Sequence, residues 1–146
     1  MSHGYTAKKG EIHKMSMNFR RKLPVPKEIK ELYPLNDKIK AIKTERDAMI
    51  ADVFTGKSDK FLLIIGPCSA DNEDSVMDYT CRLSRLQEQV KDKIIIIPRI
   101  YTNKPRTTGE GYKGMIHQPD PTKGEDMLEG LIHVRKLHTS AIEETG

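Results

Sequence analysis

Residues able to do chemistry concentrate in two short stretches. The run from Pro98 to Thr108 reads PRIYTNKPRTT and directly follows four isoleucines at 94–97. Arg99 comes just past this apolar run, where its planar fork can grip a carboxylate or phosphate through two parallel hydrogen bonds. Lys104 adds a compact positive charge, Pro105 stiffens the step to Arg106, and Thr107 and Thr108 supply hydroxyl and amide donors. A merely solvated basic loop is an odd neighbour for IIII. A seat for an anion, phosphate above all, accounts better for three cations in that place.

The second stretch is GPCSADN, Gly66–Asn72, at the end of the apolar run FLLII. Gly66 and Pro67 force a sharp exit and present Cys68 at the tip. A thiolate there could bind a soft or borderline divalent metal or act as a nucleophile. The blander reading is a small cysteine packed under a loop, and GPCS alone favours it. Cys81 falls on the apolar side of a helical pattern and reads as core. His117, His133 and His138 lack HxxH or HExxH spacing and read as surface or packing residues. GYKG at 111–114 is too short to be a phosphate loop by itself. The sequence contains no GxxxxGK[ST], GxGxxG or CxxC, so nucleotide hydrolysis, dinucleotide binding and a zinc ribbon gain no support.

Both stretches need elements to hold them. FLLIIG and IIIIPRIY are short continuous apolar runs, the pattern of strands buried on both faces of a parallel sheet. Between them, Val76, Tyr79, Cys81, Leu83 and Leu86 mark the apolar side of a helix from about Asp74 to Val90, giving a βαβ unit. Before them, Pro24, Pro26 and Pro34 bracket a short helix around Ile29 and Leu32. Ile39, Ile42, Met49, Ile50 and Val53 share one face of a longer helix, with Asn36 or Asp37 as its cap and Gly56 just beyond its end. After a Gly- and Pro-punctuated segment over 109–121, a last helix from about Gly124 carries Met127, Leu128, Leu131, Val134, Leu137 and Ile142. Two strands cannot cover both faces and both edges of their own sheet. The pattern is therefore the opening of a larger α/β barrel or sheet, where chemistry collects at the carboxyl ends of the strands.

Composition narrows the class. The chain has 146 residues, 36% hydrophobic and 32% charged, with no Trp, so one domain with a thin aliphatic core is expected. Its net charge of +4 is uneven. Residues 1–60 hold 14 Lys and Arg against 8 Asp and Glu, whereas residues 61–146 hold 11 against 13. No basic run is long and no aromatics are interleaved, which disfavours nucleic acid and suits solvated helix faces. The opening MSHGYTAKKG lacks the apolar core of a signal peptide, and no window is long and apolar enough to span a bilayer. The expectation is a reducing, cytoplasmic setting in which Cys68 and Cys81 stay unpaired.

Taken together, LLIIGPCSADN, PRIYTNKPRTT and GYKGMIHQPDP, in this order and spacing, resemble the first third of 3-deoxy-D-arabino-heptulosonate-7-phosphate (DAHP) synthase, of the type shared by the feedback-regulated bacterial and fungal enzymes. The resemblance runs from about Phe19 to Gly146, and KEIKELYPL looks like that family's amino-terminal extension. It implies an α/β chain: a helical extension over 19–60 and, over 61–146, the opening βαβα portion of a (β/α)8 TIM barrel; residues 1–18, outside the resemblance, are polar and basic without an apolar period and read as a flexible arm. It further implies a homo-oligomer that condenses phosphoenolpyruvate with erythrose 4-phosphate, the first step of the shikimate pathway to aromatic amino acids. Arg99 and Lys104 would contact phosphoenolpyruvate, with Lys104 also a candidate proton donor. Arg106 and Thr107 would meet erythrose 4-phosphate. Cys68 would be one ligand of a divalent metal of the Mn, Fe, Co or Zn class. The family takes its other metal ligands, a His, a Glu and an Asp, from later strands that this sequence does not contain, so the chain alone is expected to lack synthase activity. The alternative is a non-catalytic interaction module that binds a full-length synthase or another partner.

Overall fold

The computed structural model describes residues 22–146. The basic arm expected over residues 1–18 lies outside the described residues. The chain then runs through α1 (Pro26–Leu32), α2 (Asp37–Phe54), β1 (Phe61–Ile65), α3 (Glu73–Val90), β2 (Ile94–Pro98) and α4 (Met127–Thr145). The starts of α2, α3 and α4 follow from side-chain caps that satisfy otherwise unpartnered backbone donors. Asn36 Oδ1 accepts from the Ile39 amide at 2.8 Å, and Asn72 Oδ1 from the Ser75 amide at 2.8 Å. Asp126 accepts from both Leu128 and Glu129, and so starts α4 slightly later than Gly124. None of these helices is long and apolar enough to cross a membrane.

β1 and β2 pair in parallel, with Phe61 opposite Ile94 and Ile65 opposite Pro98, and α3 forms the crossover between them. The ladder continues beyond both ends, from the Phe61 amide to the Lys93 carbonyl and from the Arg99 amide to the Ile65 carbonyl, each at 2.8 Å. Odd-numbered β2 residues therefore bond towards β1, and Ile94, Ile96 and Pro98 turn their backbone to the opposite edge. Pro98, which has no N–H to offer, is tolerated there. Gln87 of α3 occupies the same edge: its amide donates to the Ile94 carbonyl at 2.9 Å and accepts from the Ile96 amide at 2.6 Å.

The expectation of strands buried on both faces is not met. Ile95 is buried, but Phe61 is 66% and Ile64 64% exposed. α3 packs on β2 and α2 touches β1, while no further strand among the described residues covers the other side of the pair. On α3, Leu86 is exposed rather than inward, and Thr80 takes a core position instead. Thr80 can be buried because its hydroxyl bonds back to the carbonyls of Val76 and Met77. Met127, in the first turn of α4, is also exposed.

The main buried cluster consists of Ala70, Val76, Met115 and Leu137, with Met77, Ile100 and Val134 against it. It joins α3 and α4 to the two loops that leave the strands, so the core sits beneath the strands' carboxyl ends. The amino-terminal helices are tied to α4 by polar contacts: Asn36 to the Glu143 carboxylate, Arg46 to the Gly146 carbonyl, and Arg135 to the Tyr33 carbonyl.

Candidate functional site

The two motifs meet because their loops are laced together. Gly66 leaves β1 against the Arg99 backbone, where an added Cβ would collide with the Arg99 carbonyl oxygen. No larger residue can stand there without pushing the two strand exits apart. Four residues on, the Ala70 amide donates to the Tyr101 carbonyl at 2.9 Å, and Ala70 is fully buried. The second loop then folds back on itself. The Lys104 amide bonds the Lys113 carbonyl and the Ile116 amide the Thr102 carbonyl, both at 2.9 Å. Gly114 makes this return possible: its φ is +95°, and a Cβ would press on the Thr102–Lys104 backbone. Met115, 2% exposed, pins the returning arm into the core.

This lacing brings Lys104 onto Cys68, with Nζ donating to Sγ at 3.0 Å. The Lys104 hydrogen bond and charge hold the Cys68 thiol below its ordinary pKa, against a smaller opposing push from desolvation and with lesser help still from the charges of Arg99 and Arg106. The thiol is solvent-exposed, so the reading of Cys68 as a small cysteine buried under a loop is set aside. Arg99 donates to the Pro67 carbonyl at 3.0 Å and lies over the Tyr101 ring, 4.6 Å from its centroid. Arg106 turns back to the Tyr112 carbonyl at 2.9 Å. Thr107 lies exposed in the turn closed by the Gly109 amide on the Arg106 carbonyl. Cys68, Arg99, Lys104 and Arg106 thus share one electrostatic neighbourhood, and Thr107 stands at its margin.

The arrangement offers a thiol and three cations on strand-exit loops, open to solvent. Cations fixed this way favour an anionic ligand. Comparison with known proteins agrees with the motif reading. The model of the DAHP synthetase I family matches residues 33–139. The chain belongs to this family. A Corynebacterium glutamicum phospho-2-dehydro-3-deoxyheptonate aldolase is 37% identical over 116 residues, covering 79% of this chain and 31% of the relative. The Tyr-sensitive enzyme of that name from Escherichia coli K12 is 30% identical over 129 residues, covering 88% of this chain and 36% of the relative. In structure, the chain matches the phospho-2-dehydro-3-deoxyheptonate aldolase of Francisella tularensis SCHU S4 with a TM-score of 0.76 and 26% identity, covering 86% of this chain and 37% of that one. The chain therefore spans about a third of the length of these family members, and its β1–α3–β2–α4 order is the opening of a (β/α)8 barrel.

A divalent metal was expected at Cys68. Among the described residues no group of three or more His, Cys, Asp and Glu could hold one. The available donor is a single sulfur facing an ammonium group at 3.0 Å, with two guanidinium groups adding positive charge. These residues by themselves do not fit a divalent ion, which needs three or four protein ligands. Sequence reasoning also missed three contributors: the Pro67 carbonyl, the Tyr101 ring and Tyr112. The Tyr101 ring could have been suspected from its spacing of two from Arg99 along an extended chain. Nothing in GYKG announced that its tyrosine would reach across to the cysteine loop.

Proposed function

We propose that the chain supplies the phosphate-gripping opening segment of a DAHP synthase, the enzyme that joins phosphoenolpyruvate to erythrose 4-phosphate and releases phosphate at the entry to the shikimate pathway. In this reading Arg99 and Lys104 hold phosphoenolpyruvate, and Lys104 is the candidate proton donor. Arg106 and Thr107 meet the phosphate of erythrose 4-phosphate. Bringing two anions together is opposed by their repulsion, which fixed cations offset without reorganising in the reaction. Cys68 would give one ligand to a divalent metal only alongside donors from outside the described residues. The observation that carries the proposal is the Lys104–Cys68 contact at 3.0 Å, with Arg99 and Arg106 in the same field.

The test is binding first and turnover second. Phosphoenolpyruvate titrated into the chain at low salt should bind with an affinity that Arg99→Ala or Lys104→Ala each lowers by about tenfold, the order lost with one charge-assisted bond. Equal binding by both variants and the parent chain would refute the assignment. A coupled assay with erythrose 4-phosphate and Mn²⁺ should show no turnover by the isolated chain. A second reading, as a non-catalytic interaction module, is favoured by the exposure of Phe54, Phe61 and Ile64. Co-elution with a full-length synthase would support it.

A further inference from the structure

Tyr112 is bound at both ends. Its hydroxyl donates to the Ala70 carbonyl at 3.2 Å, and its own carbonyl accepts from Arg106 Nε at 2.9 Å. The first of these partners is a firm one, because Ala70 is fully buried and its amide is held by the Tyr101 carbonyl. The second is part of an exposed turn: the Arg106 guanidinium lies along the Gly111–Tyr112 backbone, close enough that a Cβ on Gly111 would be 3.7 Å from Nε. Between Arg106 and Tyr112 the chain passes through Gly109 and Gly111, both at positive φ. Beyond Tyr112, the 102–104 and 113–116 arms are already paired. The tyrosine hydroxyl is therefore a direct tie from the tip of this loop to the turn that carries Cys68.

We propose that Tyr112 is a positioning residue that fixes Arg106 relative to the Cys68 turn, setting the spacing between the Arg99–Lys104 pair and the third cation of the site. This rests on the anion-binding reading of Arg106 given above. Partial burial, with a smaller push from the Asp71 charge, raises the phenol pKa, so the hydroxyl stays a donor at neutral pH. The loop's glycines leave Arg106 free to swing unless something holds the Tyr112 carbonyl still, and the Ala70 contact does so.

The test is Tyr112→Phe, which removes one oxygen and keeps the ring, read by NMR on the Arg106 Nε–H proton and by titration with inorganic phosphate. Loss of one hydrogen bond's worth of ordering should speed Arg106 Nε–H exchange with water about fivefold and weaken phosphate binding by a similar factor. The Arg135 Nε–H proton, bonded to the Tyr33 carbonyl at 3.0 Å on the α1–α4 contact, is the internal control and should not change. In the double variant Tyr112→Phe with Arg106→Ala, phosphate affinity should equal that of Arg106→Ala alone, since Tyr112 acts through Arg106. Unaltered Arg106 exchange, equal acceleration at Arg106 and Arg135, or additive losses in the double variant would each overturn the proposal. Faster Arg106 exchange in a chain that binds no phosphate at all would keep Tyr112 as the holder of Arg106 and refute the anion-binding reading instead.

Discussion

Replacing Met115 by Ala tests whether the site is built on its core. Met115 is 2% exposed, packs with Ala70, Val76 and Leu137, and directly follows the glycine at which the loop bearing Lys104 turns back. Burying a methionine side chain is worth about 1.5–3 kcal/mol in transfer alone. Truncation to Ala adds a cavity term, for a total loss of about 2–5 kcal/mol. The cluster has few members, so this is a large share of the stability a domain of this size can hold. The urea midpoint followed by far-UV circular dichroism should fall accordingly. Phe54→Ala, at a residue 80% exposed, should change stability by no more than about 0.5 kcal/mol. Phosphate affinity should fall with Met115→Ala and not with Phe54→Ala, because only Met115 anchors the arm paired with Lys104. Equal urea midpoints for the two variants would refute the view that this cluster is the core. A lowered midpoint with unchanged phosphate affinity would sever the core from the site.

Three further outcomes follow from single contacts. Lys104→Met removes the chief cause of the lowered Cys68 pKa, so the pH profile of Cys68 alkylation should move to higher pH and the rate at neutral pH should drop; an unmoved profile would show that Lys104 does not govern the thiol. The same pairing stabilises the fold at alkaline pH, where the unfolded thiol is also ionised, and that contribution is lost as pH falls through the lowered folded-state pKa. Gly66→Ala drives a Cβ into the Arg99 carbonyl and should cost about 1–3 kcal/mol of stability, measured again by urea, with full stability counting against the close approach. Gln87→Leu strips both side-chain bonds from the free edge of β2, and sedimentation velocity should then show more self-association than in the parent chain; identical profiles would mean that the edge is protected by something else.

The sequence was most legible where local chemistry decides structure. The cap at Asn36 and the two apolar strands follow from side-chain types a few residues apart. That Cys68 and Lys104 lie at the same end of the strands was legible from both motifs lying at strand ends, but their direct contact was not. It was less legible where a tertiary contact overrides pattern. Periodicity turned Leu86 inward, yet Thr80 is buried because its hydroxyl finds carbonyls within its own helix. Met115 lies in a motif that carried the family resemblance but was not read as core, since no helical or strand period announces a single core residue on an irregular loop. Burial of both strand faces needs neighbours that the described residues do not provide, and the exposure of Phe61 and Ile64 records that need.

The resting partners of the three cations say how an anion would enter. Arg99 bonds the Pro67 carbonyl, Arg106 the Tyr112 carbonyl, and Lys104 the Cys68 sulfur. Two of these acceptors are neutral, so an incoming phosphate offers each guanidinium a stronger, charge-assisted bond in exchange for an ordinary one. Lys104 differs, because its partner is a thiol whose ionised form it already stabilises. A phosphate must compete with that thiolate for Lys104 and is repelled by it at short range. Anion binding and ionisation of Cys68 should therefore oppose one another unless another cation takes over the sulfur. On that argument the segment grips phosphate most weakly at alkaline pH, where Cys68 is ionised, and Cys68→Ser should bind inorganic phosphate more tightly than the parent chain there. Equal affinity in the two would show that Lys104 is shared without conflict.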